Sequence, residues 1–430
     1  MSSFLKDVSR VGLSNIFIIF FGLGTSIVTA RFIGPEGNGI IAGLLVYPSL
    51  FMSFGSLGIR QSTTYFLGKS IYSEDQIKVA ISQIWMISTL FSVIISFFLI
   101  RYFSKTGDNL NLVILALLPI PFTLFNTYNS GIFLGKNDIK TFNKINWIPS
   151  LIALLSTIIF VLLLKMDVQG AMIASISAPL FMSILLLFKN KFIKFFSIKY
   201  EWKIIKDMLS LGSVYAVALL VINLNYKVDI IILDKLSIPY EMGIYSKGSA
   251  ITQYLWQIPM IFSTIVFVRS AVSKNDVQFS HKVAQLLRLS FLAIGIGSLV
   301  LYLFSEQIII GMYGEPYQES VEVLNYLLPG VLILTIYKVM NMDLAGKGKP
   351  WISMKAMLPA LGINIFFNFI LIPSYGANGA AIASTISYAI AGIFFLHFYS
   401  LEVGIRITQI LTYKKSDFDP ILNIINKVKN

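Results

Sequence analysis

About twelve stretches of this sequence are apolar and long enough to cross a lipid bilayer as helices, and no other feature constrains the fold as strongly. The hydrocarbon core of a bilayer is about 30 Å thick, so a spanning helix needs about 20 predominantly apolar residues. We place the spans at residues 11–31, 38–59, 79–100, 110–134, 145–164, 170–188, 209–233, 242–266, 283–305, 323–342, 354–372 and 377–400.

The low charge content leads to the same fold class. Of the 430 residues, 56% are hydrophobic and 13% are charged, whereas a soluble domain carries about 25% charged residues. So few charges cannot cover a water-facing surface of this size, and the loops between the spans are too short to form a soluble domain. The sequence therefore predicts an all-α polytopic membrane protein with about 12 transmembrane helices.

The distribution of basic residues predicts the orientation in the membrane. A net charge of +13 would suggest nucleic acid in a soluble protein, but cytoplasmic loops of membrane proteins are rich in Lys and Arg. With both termini inside, roughly 25 basic residues fall on the inner side and about 5 on the outer side. The outer loop 306–322 holds glutamates and no basic residue. We therefore expect cytoplasmic termini and no nucleic-acid partner.

The chain also repeats short segments in the same order at a separation of about 204–211 residues. The matching pairs are 34–40 with 238–244, 117–119 with 327–329, and 170–175 with 379–384. Each half holds six predicted spans, an even number, so both halves enter the membrane from the same side. Parallel repeats of this kind occur in transporters with a central site between two lobes.

This duplication predicts the domain organisation. We expect an N-terminal six-helix lobe at residues 1–200 and a C-terminal six-helix lobe at residues 201–400. A basic cytoplasmic tail follows at residues 401–430.

The seventh span carries polar residues on two faces. Ionisable groups at membrane depth are costly, so each one is a functional hypothesis. At 100° per residue, Asn223 and Lys227 share one face, and Asn225 and Asp229 share nearly the opposite face. A helix of this kind is expected between a cavity and neighbouring helices. In the alternative interpretation, Lys227 and Asp229 lie near the outer end and reach water.

The eighth span carries a polar stripe on one face: Ser246, Lys247, Gln253, Tyr254 and Gln257. A long polar stripe with one cation is typical of a cavity lining. Hydrogen bonds between helices, with Lys247 reaching the interface, would explain the same pattern.

Two further cations complete the candidate site. Arg31 ends the first span and contacts either substrate or the membrane interface. Lys338 lies in the inner part of the tenth span, where it either lines the inward-facing cavity or reaches toward the inner interface. An excess of cations favours an anionic substrate such as a diphosphate. We predict Asp229 as the ion-coupling residue. The candidate substrate-binding residues are Lys227, Lys247, Arg31, Lys338, Asn223, Gln253 and Gln257.

Several classes of chemistry are disfavoured. The chain has no cysteine and only two histidines, so we expect no metal site and no cofactor. It has no G-x-x-x-x-G-K-[ST] phosphate loop for ATP hydrolysis. No outer loop brings two carboxylates close together, as a membrane glycosyltransferase would require. A transporter is therefore favoured over an enzyme, with a membrane polysaccharide polymerase or ligase as an alternative.

Three segments resemble motifs of a known family: residues 30–40, residues 229–233 with 243–246, and residues 375–383. Together they resemble the polysaccharide transport family, the flippases of O-antigen and capsule repeat units. This family belongs to the multidrug/oligosaccharidyl-lipid/polysaccharide exporter superfamily. The resemblance covers residues 5–400 approximately.

The resemblance implies two six-helix lobes in the bacterial inner membrane. It implies that undecaprenyl-diphosphate-linked oligosaccharide is moved to the outer leaflet by alternating access. The implied partners are this substrate, membrane lipids, and a polysaccharide polymerase with chain-length machinery. The main alternative is an ion-coupled multidrug exporter of the same superfamily. Many such exporters carry an acidic residue in the first helix, and residues 11–30 contain none.

Overall fold

The computed structural model describes residues 2–196, 201–257, 259–260, 266–267, 269–270, 273 and 276–419, with side chains from residue 14 onward except that of residue 139. Within this part every regular element is helical. Part of the predicted eighth span, the predicted lobe boundary at residue 200 and the end of the tail lie outside the described residues.

Between residues 2 and 196 the chain forms eight α-helices. A π-helical turn, Ile158–Leu163, extends the seventh, and a 3₁₀ turn, Phe192–Phe195, follows the eighth. The helices are α1 (Ser2–Gly55), α2 (Ile59–Gly68), α3 (Glu74–Phe103), α4 (Leu110–Leu117), α5 (Pro119–Gly135), α6 (Ile139–Asn146), α7 (Ile148–Thr157) and α8 (Asp167–Lys189).

The described residues of the second half add seven α-helices, with 3₁₀ turns at Glu315–Tyr317 and Lys415–Asp417. These helices are α9 (Trp202–Leu236), α10 (Pro239–Leu255), α11 (Asp276–Leu303), α12 (Ser305–Tyr313), α13 (Ser320–Gly346), α14 (Trp351–Val403) and α15 (Ile407–Leu411).

The number of membrane crossings agrees with the prediction. Nine helical stretches of the described chain are long and apolar enough to cross a membrane. Two of them hold two crossings each, because non-helical glycines divide α1 at Gly34 and α14 at Gly376. The shorter α10 supplies one more crossing. The prediction of an all-α membrane protein with about twelve spans is confirmed.

The backbone at Gly34 turns the chain back on itself. Its φ of 77° lies in the left-handed region that glycine adopts without strain. The Asn38 amide donates to the carbonyl of Thr29 at 2.9 Å. In a straight helix these residues would be separated by about 13.5 Å along the axis, so the two parts of α1 form a hairpin.

Small residues allow close helix packing inside the second lobe. A Cβ added to Gly330 of α13 would lie 2.7 Å from the Cα of Thr385 in α14. A Cβ added to Gly392 of α14 would lie 2.6 Å from the carbonyl oxygen of Ile333. Lipid tails are as apolar as leucine, so helices in a membrane depend on such close contacts rather than on the hydrophobic effect.

The two halves meet through α1 and α10 in a reciprocal contact. A Cβ added to Gly39 would lie 1.7 Å from the carbonyl oxygen of Pro239, and one added to Gly243 would lie 1.9 Å from that of Pro35. Pro35 corresponds to Pro239, and Gly39 to Gly243, in the duplicated segments. Each motif therefore packs on its own counterpart, as in a two-fold interface. We call this contact the glycine seal.

The glycine seal marks one end of the bundle, which we call the Gly34 end. Contacts such as that between the Lys105 amine and the Ser237 carbonyl tie neighbouring loops together here. The opposite end carries the basic loops, and we call it the basic end. There Lys136 pairs with Glu74, and Lys78 donates to the carbonyl of Asn190.

At the basic end the start of the tail is fastened to α11. The Arg288 guanidinium donates from Nε to Asp417 Oδ2 at 2.7 Å and from Nη2 to Oδ1 at 2.6 Å. It also donates to the carbonyl of Ile410. The hydrogen bonds from Arg288 hold the pKa of the Asp417 carboxyl below its usual value. Residues 407–417 therefore dock on the bundle.

Candidate functional site

A cavity of about 750 Å³ lies between the two halves of the bundle. Its size is within the range of small-molecule sites, and we call it the large cavity. No acidic residue is among the described residues that line it. Its polar lining consists of Ser49, Arg60, Thr123, Asn126, Thr127, Ser130, Asn146, Ser175, Lys227, Ser246, Ser249 and Gln253.

Two cations of the large cavity have no counter-charge. Lys227 enters the lining from α9, and Arg60 enters from the first turn of α2 with its guanidinium 5.9 Å from the Phe142 ring centre. In the described part of the chain, neither forms an ion pair with a carboxylate. The cavity is therefore positively charged and suited to phosphate oxygens.

Arg60 was not predicted from the sequence. The predicted second span ends at residue 59, one residue before Arg60. In the structure the chain continues there as α2, and Gly58 beside it adopts a φ of 62° that starts the new helix. The signal in the sequence is Gly58 followed by a further helical segment with an internal arginine.

A second, small cavity of about 310 Å³ adjoins the large one toward the Gly34 end. The two cavities share lining residues, among them Ser175 and Ser246. Lys247, only 7% exposed, enters the small cavity from α10. Its amine donates to Thr29 Oγ1 at 2.9 Å and to the carbonyl of Ser26 at 3.2 Å. Lys227 and Lys247, both predicted to bind substrate, line two adjoining cavities, and their role toward substrate stays a prediction.

Among the other predicted residues, Gln253 lines the large cavity. Asn223 donates to Ser53 Oγ of α1 at 2.8 Å and so links the two halves. Gln257 is not among the described residues that line either cavity. Neither Asn223 nor Gln257 is among the described lining residues of the two cavities, so substrate binding by these residues stays a prediction.

Two predicted cations lie away from both linings. The Arg31 guanidinium donates to the carbonyls of Met312 and Gly311 and so joins α1 to α12 at the Gly34 end. The Lys338 amine lies 4.2 Å from the ring centre of Tyr226 and 4.5 Å from that of Trp256. Cation–π contacts stabilise such a charge. Both side chains are engaged within the protein, and their role toward substrate stays a prediction.

Asp229 lies on the opposite face of α9 from Lys227, inside the second half of the chain. It is fully buried, and its carboxylate accepts hydrogen bonds from Tyr245, from Ser384 at 2.6 Å and from Asn368 at 2.8 Å. Among the described residues no cation pairs with it. A buried carboxylate without a cation is costly unless a proton or a metal ion neutralises it.

The surroundings of Asp229 supply oxygen atoms. Asn364 and Asn368 lie four residues apart on one face of α14 and are not among the predicted site residues. The side-chain oxygen of Asn368 is buried and has no hydrogen-bond partner. Oxygen ligands suit small hard cations. A cluster of three or more metal-ligating His, Cys, Asp or Glu residues does not occur in the described part.

Comparisons with known proteins agree with this architecture. A family model described as "Polysaccharide biosynthesis protein" matches residues 4–269, and a model described as "MatE" matches residues 214–370. A capsular polysaccharide biosynthesis protein, CapF of Staphylococcus aureus, is 24% identical over 413 residues, which cover 92% of this chain and 99% of CapF.

Two solved structures are similar in fold. The lipid II flippase MurJ in an inward closed conformation has a TM-score of 0.77 at 16% identity, covering 96% of this chain and 95% of that one. An inward-facing multidrug resistance MATE family transporter of the MOP superfamily has a TM-score of 0.76 at 15% identity, covering 90% and 94%. At these identities the two likenesses establish a common fold.

Proposed function

The chain belongs to the polysaccharide biosynthesis protein family, and from this premise we propose that it is a flippase for lipid-linked oligosaccharides. It would move undecaprenyl-diphosphate-linked repeat units from the inner to the outer leaflet of the bacterial inner membrane for surface polysaccharide synthesis. The observation that carries the proposal is the large cavity between the lobes, which holds two cations without counter-charges.

Arg60 and Lys227 bind the diphosphate in this account. An isolated anion pays a large free-energy cost on entering hydrocarbon, so a diphosphate does not cross a bilayer unaided. The two cations and the hydroxyl and amide groups of the lining replace its lost hydration. The sugars occupy the polar cavity while the polyprenyl tail stays in lipid.

Translocation proceeds by alternating access of the two lobes. At the Gly34 end the lobes are held together by the glycine seal, by Arg31, and by the Asn38 amide, which donates to Tyr317 at 2.9 Å. Arg60 lies near the basic end, beside Gly58, which packs on the backbone of Gly212. Substrate would enter from the basic end, and a rocking motion would then break the Gly34-end contacts. We assign the basic end and both termini to the cytoplasm from the excess of lysine and arginine there.

Asp229 is the coupling residue of this proposal. A cation or proton at Asp229 neutralises a fully buried carboxylate, and its binding free energy is available to bias the lobes between two states. Asp229 is linked through Tyr245 to α10, the helix that also carries Lys247 and half of the glycine seal. The carboxylate is thus connected to the interface between the lobes.

A multidrug exporter is the second candidate, because the MatE model matches residues 214–370. Cationic drugs require acidic groups in the cavity, whereas the charged residues of the described lining are the cations Arg60 and Lys227. A polysaccharide polymerase or ligase is the enzymatic alternative. It would change glycan length or linkage, whereas a flippase leaves the repeat unit unaltered.

Depletion of the protein in its host cell tests the proposal. The expected result is accumulation of an intact lipid-diphosphate oligosaccharide on the inner leaflet, measured by mass spectrometry and by accessibility to an added glycosidase. Normal delivery of the unit to the outer face, combined with altered chain length or linkage, would instead support the enzyme. Normal glycan export with lost drug resistance would support the exporter.

A further inference from the structure

Lys247 connects the two lobes where they approach each other. It belongs to α10 of the second lobe, and both of its hydrogen-bond acceptors, the Ser26 carbonyl and Thr29 Oγ1, belong to α1 of the first. Its amine also lies 5.6 Å from the ring centre of Tyr313, which in turn hydrogen-bonds Ser26 at 3.1 Å. Opening of the Gly34 end requires these contacts to break.

The partners of Lys247 are all neutral. The side chain is 93% removed from solvent, at 7% exposure, yet no carboxylate among the described residues pairs with it. A lysine ammonium has three N–H donors, and two of them have acceptors here. The remaining donor belongs to a side chain that lines the small cavity.

The small cavity suits the part of a substrate that enters first. It adjoins the large cavity on the side of the Gly34 end, whereas Arg60 lies near the basic end. In the proposed function the diphosphate binds at Arg60 and Lys227, and the small cavity is then the adjoining space on the Gly34 side into which distal sugars would extend. Hydroxyl groups of Thr25, Thr157 and Ser175 line the small cavity, and its described lining has no acidic residue.

We propose that Lys247 is a latch released by an anionic group on the distal sugar of the substrate. This inference rests on the proposed flippase function, and it adds that the transported glycan carries an acidic substituent. The anion pairs with Lys247, draws the amine away from Ser26 and Thr29, and so loosens the α1–α10 contact. An anionic acceptor adds the attraction of a full opposite charge to the ammonium hydrogen bond, which the neutral carbonyl and hydroxyl acceptors do not, so the exchange is favourable in a buried site.

The latch makes opening dependent on a correctly loaded substrate. An empty cavity leaves Lys247 bonded to α1, and the lobes stay closed at the Gly34 end. A lipid diphosphate that lacks the distal acidic sugar fills the large cavity without releasing the latch. The expected preference for acidic over neutral glycan is about tenfold in affinity or more, as for a close charge pair.

The test compares two probes on the purified full-length chain in lipid nanodiscs. One probe is a short polyprenyl diphosphate trisaccharide with a distal uronic acid, and the other is the same compound with its carboxyl group reduced to an alcohol. Spin labels on Asn111→Cys and Gln318→Cys report the distance across the Gly34 end by pulsed electron paramagnetic resonance. The chain has no cysteine of its own, so no background label arises.

In the labelled chain that keeps Lys247, the acidic probe should shift the distances between the labels to longer values, and the neutral probe should not. In Lys247→Met, distances should be longer without any probe, and the two probes should give the same result. Lys235→Met is the matched control, since this lysine also lies at the Gly34 end but packs over Phe103 outside both cavities. It should behave as the unsubstituted chain.

A second variant covers the case in which Lys247→Met does not fold. Thr29→Val removes one acceptor of the latch and keeps the lysine, so it should lengthen the distances and retain the response to the acidic probe. Equal responses to both probes in the unsubstituted chain would overturn the latch. If both probes are flipped equally in vesicles, the flippase function still stands and only the latch fails; if neither is flipped, the proposed function itself fails.

Discussion

At the residue scale, the charge of the large cavity depends on Arg60 and Lys227. We predict that Arg60→Ala and Lys227→Ala each lower glycan export by about tenfold or more, because each removes a cation that pairs with phosphate. Lys227→Arg should keep partial function, since Arg also pairs with phosphate but with different geometry. Export and membrane abundance should be measured together.

The matched control for these variants is Lys355→Ala, which removes an exposed lysine that packs over Trp351. Its export should be unchanged. Abundance of the cavity variants should stay nearly normal, because a cavity wall supports little packing. Normal export in the Arg60→Ala, Lys227→Ala double variant would contradict the diphosphate site.

The coupling role of Asp229 gives a second prediction at this scale. Asp229→Asn should fold, because the Ser384 and Tyr245 hydroxyls that now donate to the carboxylate can rotate to accept from an amide. Transport should fall and lose its dependence on the ion gradient, measured in vesicles with imposed sodium or proton gradients. Ser387→Ala, which removes the hydroxyl contacts with Asn225 and with the Ala360 carbonyl but leaves the hydrogen bonds to the Asp229 carboxylate in place, is the control. Unchanged gradient dependence in Asp229→Asn would remove the residue from this role.

Individual residues were predicted from the sequence only where the helical period decides their face. The period separates Lys227 from Asp229 on α9. In the structure Lys227 faces the large cavity, and Asp229 faces the interior of the second lobe. The period gives no information on which helix lies opposite. The separation of Lys247 from Lys227, and the carbonyl partners of Arg31, depend on packing between helices distant in the chain.

At the scale of helices, the glycine seal predicts a conformational variant. Gly243→Ala should prevent closure of the Gly34 end, because its Cβ would lie 1.9 Å from a backbone oxygen of Pro35, and a backbone cannot move aside as a side chain does. The expected result is a longer distance between labels at Asn111 and Gln318, with export lost. Gly39→Ala should have the same effect from the other lobe.

Gly362→Ala in α14 is the control for the seal, because a Cβ there meets no atom within 4 Å. It should leave both the distance and export unchanged. An unaltered distance in both Gly39→Ala and Gly243→Ala would show that the reciprocal contact does not close this end.

Helix existence was predictable because each span needs about 20 apolar residues, a signal that a sequence carries locally. Helix ends were harder to place. The predicted gaps at residues 32–37 and 373–376 contain the turns at Gly34 and Gly376, but the helices continue into these gaps up to the glycines. The short α12, which accepts hydrogen bonds from Arg31, has nine residues, too few to be recognised as a span.

At the scale of the whole molecule, the orientation is a testable consequence of the basic end. Reporter fusions after residue 200 should read as cytoplasmic, and fusions near residue 315 should read as external. The predicted lobes are residues 1–200 and 201–400. Two fragments divided after residue 200 and expressed together should therefore restore export. The opposite reading at both fusion sites would reverse the assigned direction of transport.

The most direct measurement of the central claim is flipping by the purified protein. A fluorescent polyprenyl-diphosphate oligosaccharide is placed in both leaflets of vesicles, and a membrane-impermeant quencher is added outside. The account predicts that more than half of the fluorescence is quenched in vesicles that contain the protein, because probe from the inner leaflet reaches the outer one. With the Arg60→Ala, Lys227→Ala double variant, quenching should stop at the half that comes from the outer leaflet. Quenching that stops at half with the unsubstituted protein, under imposed sodium and proton gradients alike, would contradict the account.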